Sequence, residues 1–214
     1  MRFSPALFLF LGAAVAAPAA APGDGDGILI VPNAPTAVDV KIVNVTAIGS
    51  GCPVGHAFVN VDATGTIFDV SFDEYTVTVG PGASASDSRK NCRISINLLF
   101  PEGLSMSIIE TRFSGYAGLS AGQSGTCRAG YTFSGDSNQE VVFQKNLVSP
   151  YDDNYSMLAG QGVQSWSKCG KTTAILNVNS EVRITPITSP TKGIMTVRNP
   201  WRIQTRWQRC GYDA

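Results

Sequence analysis

Hydrophobic and polar residues alternate along most of this 214-residue chain from residue 28 onward. The clearest stretch is 92–100, and shorter ones lie at 38–42 and 67–72. A period of two is typical of β-strands with one buried face and one solvated face. Further segments with strand character are 57–62, 75–79, 105–113, 130–134, 139–145, 172–178, 181–187, 193–198 and 201–209.

Turn-forming clusters such as Gly80-Pro81-Gly82 and Ser189-Pro190-Thr191 separate these segments. Many short strands with regular breaks are typical of an antiparallel sandwich or barrel. No segment shows apolar residues at helical spacing. The predicted fold class is therefore all-β: a single-domain antiparallel β-sandwich with disulfides, spanning residues 28–214.

The first 27 residues differ in composition from the rest. Arg2 precedes an apolar run over 6–17, and Ala14-Val15-Ala16 has the small-x-small pattern of a cleavage site. We predict a signal peptide over 1–16 and a flexible or processed leader over 17–27. The apolar run is shorter than the roughly 20 residues that a membrane span needs. The sequence thus predicts a secreted protein without a membrane anchor.

The numbers of charged residues and of histidines exclude some classes of function. The chain has 16 Lys and Arg, 16 Asp and Glu, and one His. This balance argues against a nucleic-acid partner, because such binding depends on excess positive charge. A single His removes metal sites that need two. No cofactor motif is present, so we expect no cofactor. We also expect no bound metal, and we expect the protein to be a monomer.

Five cysteines follow the leader: Cys52, Cys92, Cys127, Cys169 and Cys210. In an oxidising compartment they favour disulfide bonds over metal ligation, and none has C-x-x-C spacing. The odd number leaves one thiol without an internal partner, and spacing alone does not decide the connectivity.

Two sequons predict N-glycosylation, at Asn44 and at Asn154. We expect the second to lie in a polar loop over 151–154. The first lies in a strand pattern, where only a solvent-facing Asn accepts a glycan.

Short Gly, Pro, Cys and aromatic motifs extend over residues 50–210. They are Gly51-Cys52-Pro53 with Gly55, Phe72-Asp73, Tyr75, Gly80-Pro81-Gly82, Arg89-Lys90-Asn91-Cys92, Pro101 with Gly103, Gly115-Tyr116-Ala117, Cys169-Gly170, Asn177-Val178-Asn179 and Trp207-Gln208 with Cys210. In combination they resemble the domain-of-unknown-function family 4360, small secreted proteins found chiefly in filamentous fungi. The resemblance implies secretion and an all-β fold, and it implies no activity. The chain departs from the family pattern at Lys168, where we expect Pro, and at Cys127, where we expect no cysteine.

Beside this resemblance, we predict Cys52–Cys92 and Cys169–Cys210 bridges with Cys127 as a free thiol. The first bridge would connect two core strands, and the second would hold the final strand against fraying. Cys127 is left out because it lies away from the four motif cysteines, at a position where the resemblance fails.

His56 and a group of carboxylates are the candidates for acid–base chemistry. His56 has no nucleophile motif near it, which favours a structural role at a strand edge. Asp69 and Asp73 would be about 13 Å apart on an extended strand. Paired glycosidase carboxylates need roughly 5–9.5 Å. A hydrolase using these acids or Glu74 would therefore need a partner from another strand, such as Glu110 or Glu140, and a solvated strand face is favoured.

Two basic segments are candidates for anion binding. Arg89-Lys90-Asn91 precedes a bridged cysteine, which favours a structural role over contact with an acidic glycan. In the last strand, Trp201 and Trp207 alternate with Arg202 and Arg206, in a segment (168–214) of net charge +6. One hypothesis makes these four residues a ligand face for anionic polysaccharide. The favoured alternative places the Trp face in the core and the Arg face against acids of neighbouring strands.

Two functions fit the sequence. The first is a secreted non-catalytic protein acting at the cell wall or a host surface, with wall or host polysaccharide as the expected partner. The second is a glycan-binding module or carbohydrate-active enzyme on the same scaffold. An open groove with exposed Trp and two facing carboxylates would favour the second, and burial of every Trp would favour the first.

Overall fold

The strands of the protein pair into two antiparallel sheets whose inner faces enclose the core. The computed structural model describes residues 38–73, 75–135, 140–160 and 166–211. They form β1 (Lys41–Ile48), β2 (Ala57–Val61), β3 (Ile67–Phe72), β4 (Thr76–Val79), β5 (Arg89–Leu99), β6 (Leu104–Leu119), β7 (Ser124–Phe133), β8 (Val141–Val148), β9 (Tyr151–Gly160), β10 (Thr173–Thr185), β11 (Gly193–Thr196) and β12 (Arg198–Arg209).

The smaller sheet has the order β1-β5-β10-β7-β8. The larger sheet has the order β2-β3-β12-β6-β11-β4, and β9 also pairs with β6. A 3-10 turn, Ala85–Ser88, is the one helical element of the described residues. No helix in that part of the chain has the length and apolar character of a membrane span. The predicted antiparallel β-sandwich is therefore confirmed.

Burial follows the alternation of the sequence. In β5, Cys92, Ile94, Ile96 and Leu98 are all at most 1% exposed. The intervening Arg93, Ser95 and Asn97 lie on the outer face. Each sheet thus supplies one apolar layer to a shared core and one polar layer to solvent.

Two buried tyrosines carry hydroxyl groups that reach across the core to the opposite sheet. Tyr75 lies 2.9 Å from the hydroxyl of Ser180 on β10. Tyr155 on β9 lies 3.7 Å from the sulfur of Cys127 on β7. Because a buried hydroxyl without a partner is costly, these contacts restrict how the two sheets can stack.

Three expectations about individual strands are wrong. Residues 151–154 begin β9 instead of forming a loop, with Asn154 opposite Tyr116 on β6. Segments 172–178 and 181–187 form one strand, β10, because Ser180 is buried and has hydrogen-bond partners. The strand predicted at 130–134 starts at Ser124, so Cys127 lies within β7.

Candidate functional site

An open concave surface lies on the outer face of the larger sheet. One row of paired residues crosses it, from Thr78 on β4 through Ile194 on β11 and Gly118 on β6 to Asp152 on β9. The surface is an open groove of about 610 Å³. We call it the Tyr116 groove, and its larger polar lining side chains are Tyr116, Tyr151, Asp87, Asp152 and Lys192.

The floor of the Tyr116 groove depends on a glycine. A Cβ atom at Gly118 would lie 3.1 Å from the hydroxyl of Tyr116 and 3.4 Å from the Cγ2 atom of Ile194. The missing side chain leaves room for the Tyr116 ring to lie over the strand. The ring is half-buried, so part of it remains available to a ligand.

A hydrogen bond to a carboxylate holds this ring in place. The Tyr116 hydroxyl donates to Oδ1 of Asp152 at 2.5 Å. This hydrogen bond raises the pKa of Tyr116, because removing the phenol proton beside a carboxylate is unfavourable. The groove thus presents a fixed aromatic ring, a phenol oxygen and a carboxylate as one unit.

The opposite wall carries a second anchored carboxylate. Asp87, in the 3-10 turn, accepts hydrogen bonds from the backbone N–H of Ser84 at 2.9 Å and from its hydroxyl at 2.6 Å. Hydrogen bonds from the Ser84 side chain and backbone, with a smaller contribution from Lys90, lower the pKa of Asp87. This carboxyl group is therefore ionised and accepts hydrogen bonds.

A buried glutamine shapes the end of the groove. Gln123 is 3% exposed, and its amide nitrogen donates to the carbonyl of Thr191 at 2.9 Å. Its Oε1 accepts from the backbone N–H of Ser120 at 2.8 Å. The neighbouring Lys192 is exposed and has no ion pair among the described residues. The lining of the groove therefore has two carboxylates and one ammonium group, and Lys90 lies 3.8 Å from Asp87, so the groove has no excess of positive charge for an anionic ligand.

The structure places the last-strand tryptophans in the core. Trp201 and Trp207 are each 2% exposed. Their indole nitrogens donate to the hydroxyl of Thr111 at 2.6 Å and to the carbonyl of Gly65 at 2.8 Å. The hypothesis that they form a ligand face is wrong, because both rings face the opposite sheet.

Arg202 meets an acid on the neighbouring strand. Its Nε and Nη2 donate to Oδ1 and Oδ2 of Asp69 at 2.9 and 3.2 Å. Arg206 is half-buried opposite Ser107 and has no ion pair in the described ranges. The Arg face predicted for anion binding is thus partly neutralised, as the alternative interpretation expected for Arg202.

The other candidate acids are also separated from one another. Asp73 lies 2.9 Å from Nδ1 of the exposed His56, at the start of β2. Glu140 belongs to the other sheet and pairs with Arg128. Glu74 lies outside the described residues. In the same ranges, no three His, Cys, Asp or Glu side chains gather where they would hold a metal ion.

The basic segment at the start of β5 makes contacts within the protein. Arg89 donates through Nε to Oε2 of Glu181 at 2.8 Å. Lys90 lies 3.8 Å from Oδ1 of Asp87, and the side chain of Asn91 accepts from the hydroxyl of Ser50 at 3.0 Å. These contacts agree with a structural role for the segment.

The cysteines pair as predicted, with Cys52–Cys92 and Cys169–Cys210 bridges. Cys127 is free and buried. Burial raises the pKa of its thiol to about 12. The thiol is therefore protonated and shielded from reagents.

Both sequon asparagines are exposed on strands, Asn44 on β1 and Asn154 on β9. Occupancy by glycans stays a prediction. The predicted signal peptide at 1–16 and leader at 17–27 lie outside the described residues.

Sequence reasoning did not identify the Tyr116 groove. Its polar side chains come from β6, β9, the 3-10 turn and the loop before β11, and only strand pairing brings them together. One signal was available, because two of the recurring motifs, Gly80-Pro81-Gly82 and Gly115-Tyr116-Ala117, both supply lining residues.

Comparison with known proteins agrees with the predicted secretion. The family model described as "Domain of unknown function (DUF4360)" matches residues 38–210. An "Uncharacterized secreted protein" of Arthroderma benhamiae is 36% identical over 196 residues, which cover 88% of this chain and 77% of that protein. The match includes all four bridged cysteines and the residues of the groove.

Proposed function

This chain belongs to the DUF4360 family of secreted proteins, and we propose that it is a non-catalytic protein that binds neutral polysaccharide in the Tyr116 groove. The place of action is the cell wall or a host surface. One observation carries the proposal: the Tyr116 ring is held over Gly118 by its hydrogen bond to Asp152.

The geometry suits a sugar chain in three ways. The groove is open, so a polymer can enter and leave along it. The Tyr116 ring offers an apolar face, and the carboxylates and phenol oxygen accept hydrogen bonds from sugar hydroxyls. Few atoms have to be reordered on binding, because Tyr116, Asp87 and Asp152 are already held by hydrogen bonds.

The charge of the groove supports a neutral ligand. Asp87 has Lys90 as a cationic neighbour at 3.8 Å, and Lys192 is balanced by Asp152, so the groove has no excess of positive charge to attract a uronic-acid chain. The ionised Asp87 has no proton to give to a leaving group, so it is unsuited to be the general acid of a glycosidase. Binding without cleavage therefore fits the groove better than hydrolysis.

The test is a binding screen with the purified secreted protein. We expect retention on at least one neutral wall polysaccharide from a panel of insoluble β-glucan, chitin and cellulose, with no release of reducing sugar. Y116A should weaken binding at least tenfold, which corresponds to about 1.4 kcal/mol. Y116F keeps the ring but loses the hydrogen bond to Asp152, so its affinity should lie between those of Y116A and the parent.

F58A is the matched control, because Phe58 is an exposed aromatic residue (54%) outside the groove. It should bind as the parent does. Absence of binding to every neutral polysaccharide, or equal binding by Y116A and the parent, would refute the proposal. Release of reducing sugar would show that the protein is an enzyme.

A further inference from the structure

The outer face of the smaller sheet carries a second concave surface. It is a shallow pocket of about 240 Å³ between β5, β10 and β7. We call it the Arg93 pocket, lined by Arg89, Arg93, Arg128, Glu140, Asn179 and Glu181. The Tyr116 groove lies on the outer face of the other sheet, so the two surfaces are independent.

Both carboxylates of the Arg93 pocket already have cationic partners. Glu140 accepts from Nη2 of Arg128 at 2.6 Å. Glu181 accepts from Arg89 and lies 3.7 Å from Nε of Arg183. The negative charge of each carboxylate is therefore already balanced by an arginine.

Arg93 has no such partner among the residues that the structure describes. Its Nε donates to Oδ1 of Asn179 at 3.1 Å, and the amide nitrogen of Asn179 donates to Oε1 of Glu140 at 3.3 Å. No carboxylate lies within 4.0 Å of Arg93 in the described ranges. The exposed guanidinium is thus oriented through Nε, while its two Nη groups retain N–H donors for a ligand.

The surrounding charge is positive. Three guanidinium groups, those of Arg89, Arg93 and Arg128, line the pocket with the two carboxylates of Glu140 and Glu181. An anionic group beside Arg93 would therefore meet net attraction. A planar carboxylate fits the two parallel N–H bonds of a guanidinium better than a point charge would.

A row of neutral polar side chains continues from the pocket along the same face. The hydroxyl of Ser95 donates to Oδ1 of Asn177 at 2.8 Å, and the amide nitrogen of Asn177 donates to the hydroxyl of Ser134 at 2.8 Å. Ser95 is two residues beyond Arg93 on β5, and Asn177 is two residues before Asn179 on β10. This row offers fixed hydrogen-bonding groups to sugar hydroxyls next to the bound carboxylate.

We infer that the Arg93 pocket binds the carboxylate of a uronic-acid residue in an acidic polysaccharide. Arg93 holds the carboxylate through its Nη groups. Ser95 and Asn177 contact hydroxyls of the adjoining sugar. The acidic ligand that one sequence-based hypothesis placed at Arg202 and Arg206 is thereby assigned to another sheet and another arginine.

The experiment is affinity electrophoresis of the secreted protein, with N-glycans removed, in gels containing polygalacturonate. Fully methyl-esterified polygalacturonate is the matched neutral polymer. We expect retardation by the free acid and none by the ester. R93Q should raise the dissociation constant at least tenfold, and R93K should give a smaller loss because it keeps the charge without the planar fork.

R112Q is the control for charge, because Arg112 is exposed on the other sheet and has no ion pair in the described ranges. It should be retarded like the parent. Equal losses in R93Q and R112Q, or R93K behaving as the parent, would show general charge attraction and overturn the inference. So would equal retardation by dextran sulfate at the same charge density, or no retardation of the parent.

Y116A separates this inference from the proposed function. It should be retarded by polygalacturonate as the parent is, while R93Q should bind neutral polysaccharide normally. Far-UV circular dichroism of every variant checks that the fold is kept.

Discussion

The indole nitrogen of Trp201 donates a hydrogen bond of 2.6 Å to the hydroxyl oxygen of Thr111 in the centre of the sandwich. The hydroxyl of Tyr131, from the opposite sheet, donates to the same oxygen at 2.6 Å. Thr111 is fully buried. One threonine oxygen therefore satisfies two buried donors and connects the two sheets.

Replacing this oxygen should be costly. T111V keeps the shape of the side chain but leaves both donors without an acceptor, at about 1–3 kcal/mol each. We expect the free energy of unfolding to fall by about 2–6 kcal/mol, measured by urea denaturation. T111S retains the oxygen and should lose only about 1 kcal/mol for the missing methyl group. Equal stability of T111V and T111S would contradict this role.

The two disulfides should differ in accessibility to reductant. Cys52 and Cys92 are at most 1% exposed, whereas Cys169 is exposed and Cys210 is half-buried. Because thiol–disulfide exchange requires direct attack on sulfur, a mild reductant should open Cys169–Cys210 first in the folded protein. Alkylation followed by peptide mapping measures the order. Each bridge closes a loop of about 40 residues, worth roughly 4 kcal/mol in the chain-entropy model.

The free thiol of Cys127 should not react in the folded protein. Burial raises its pKa to about 12, so at about pH 8 the reactive thiolate is scarce as well as shielded. A coloured thiol reagent should give no signal under native conditions and about one thiol per chain in concentrated guanidinium chloride. The C127A variant supplies the blank. Rapid native labelling would show that β7 opens easily.

Asp62 should make stability depend on acid pH. Burial alone would raise its pKa, but hydrogen bonds from the Thr64 side chain and the backbone N–H groups of Ile67 and Thr66 lower it overall. A lowered folded-state pKa contributes stability above the unfolded value, and this contribution disappears as pH falls through the folded value.

We expect D62A to lower the free energy of unfolding by about 1 kcal/mol at neutral pH, allowing for solvent screening. The difference from the parent should shrink as pH falls below the ordinary Asp value of 3.8. Urea denaturation across this range measures it. A difference that grows toward acid pH would contradict the assignment, and D39A, whose carboxylate is exposed, is the matched control.

The sequence alone determined the sheet-forming segments, because a buried face and a solvated face impose a period of two on each strand. Stretch 92–100 and strand β12 both follow this pattern, with Ile94 and Trp201 in the core. The bridge pairing was also predicted correctly, with help from the resemblance to a known family. Strand β9 was missed because its first four residues, Tyr151 to Asn154, are polar and exposed or half-buried and resemble a loop. Its backbone is paired by β6, a partner some 40 residues away that no local pattern reveals.

Only the tertiary structure decided which outer-face residues meet. Asp69 and Arg202 are separated by 133 positions, and their ion pair leaves Arg202 unavailable as a free cation. Nothing in the sequence distinguished Arg93 beyond its place in a strand, yet no acid among the described residues pairs with it. Tyr116 and Asp152 are likewise joined only by the pairing of β6 with β9. The physical reason is that alternation specifies which face a side chain occupies, whereas strand order and register specify its neighbours on that face.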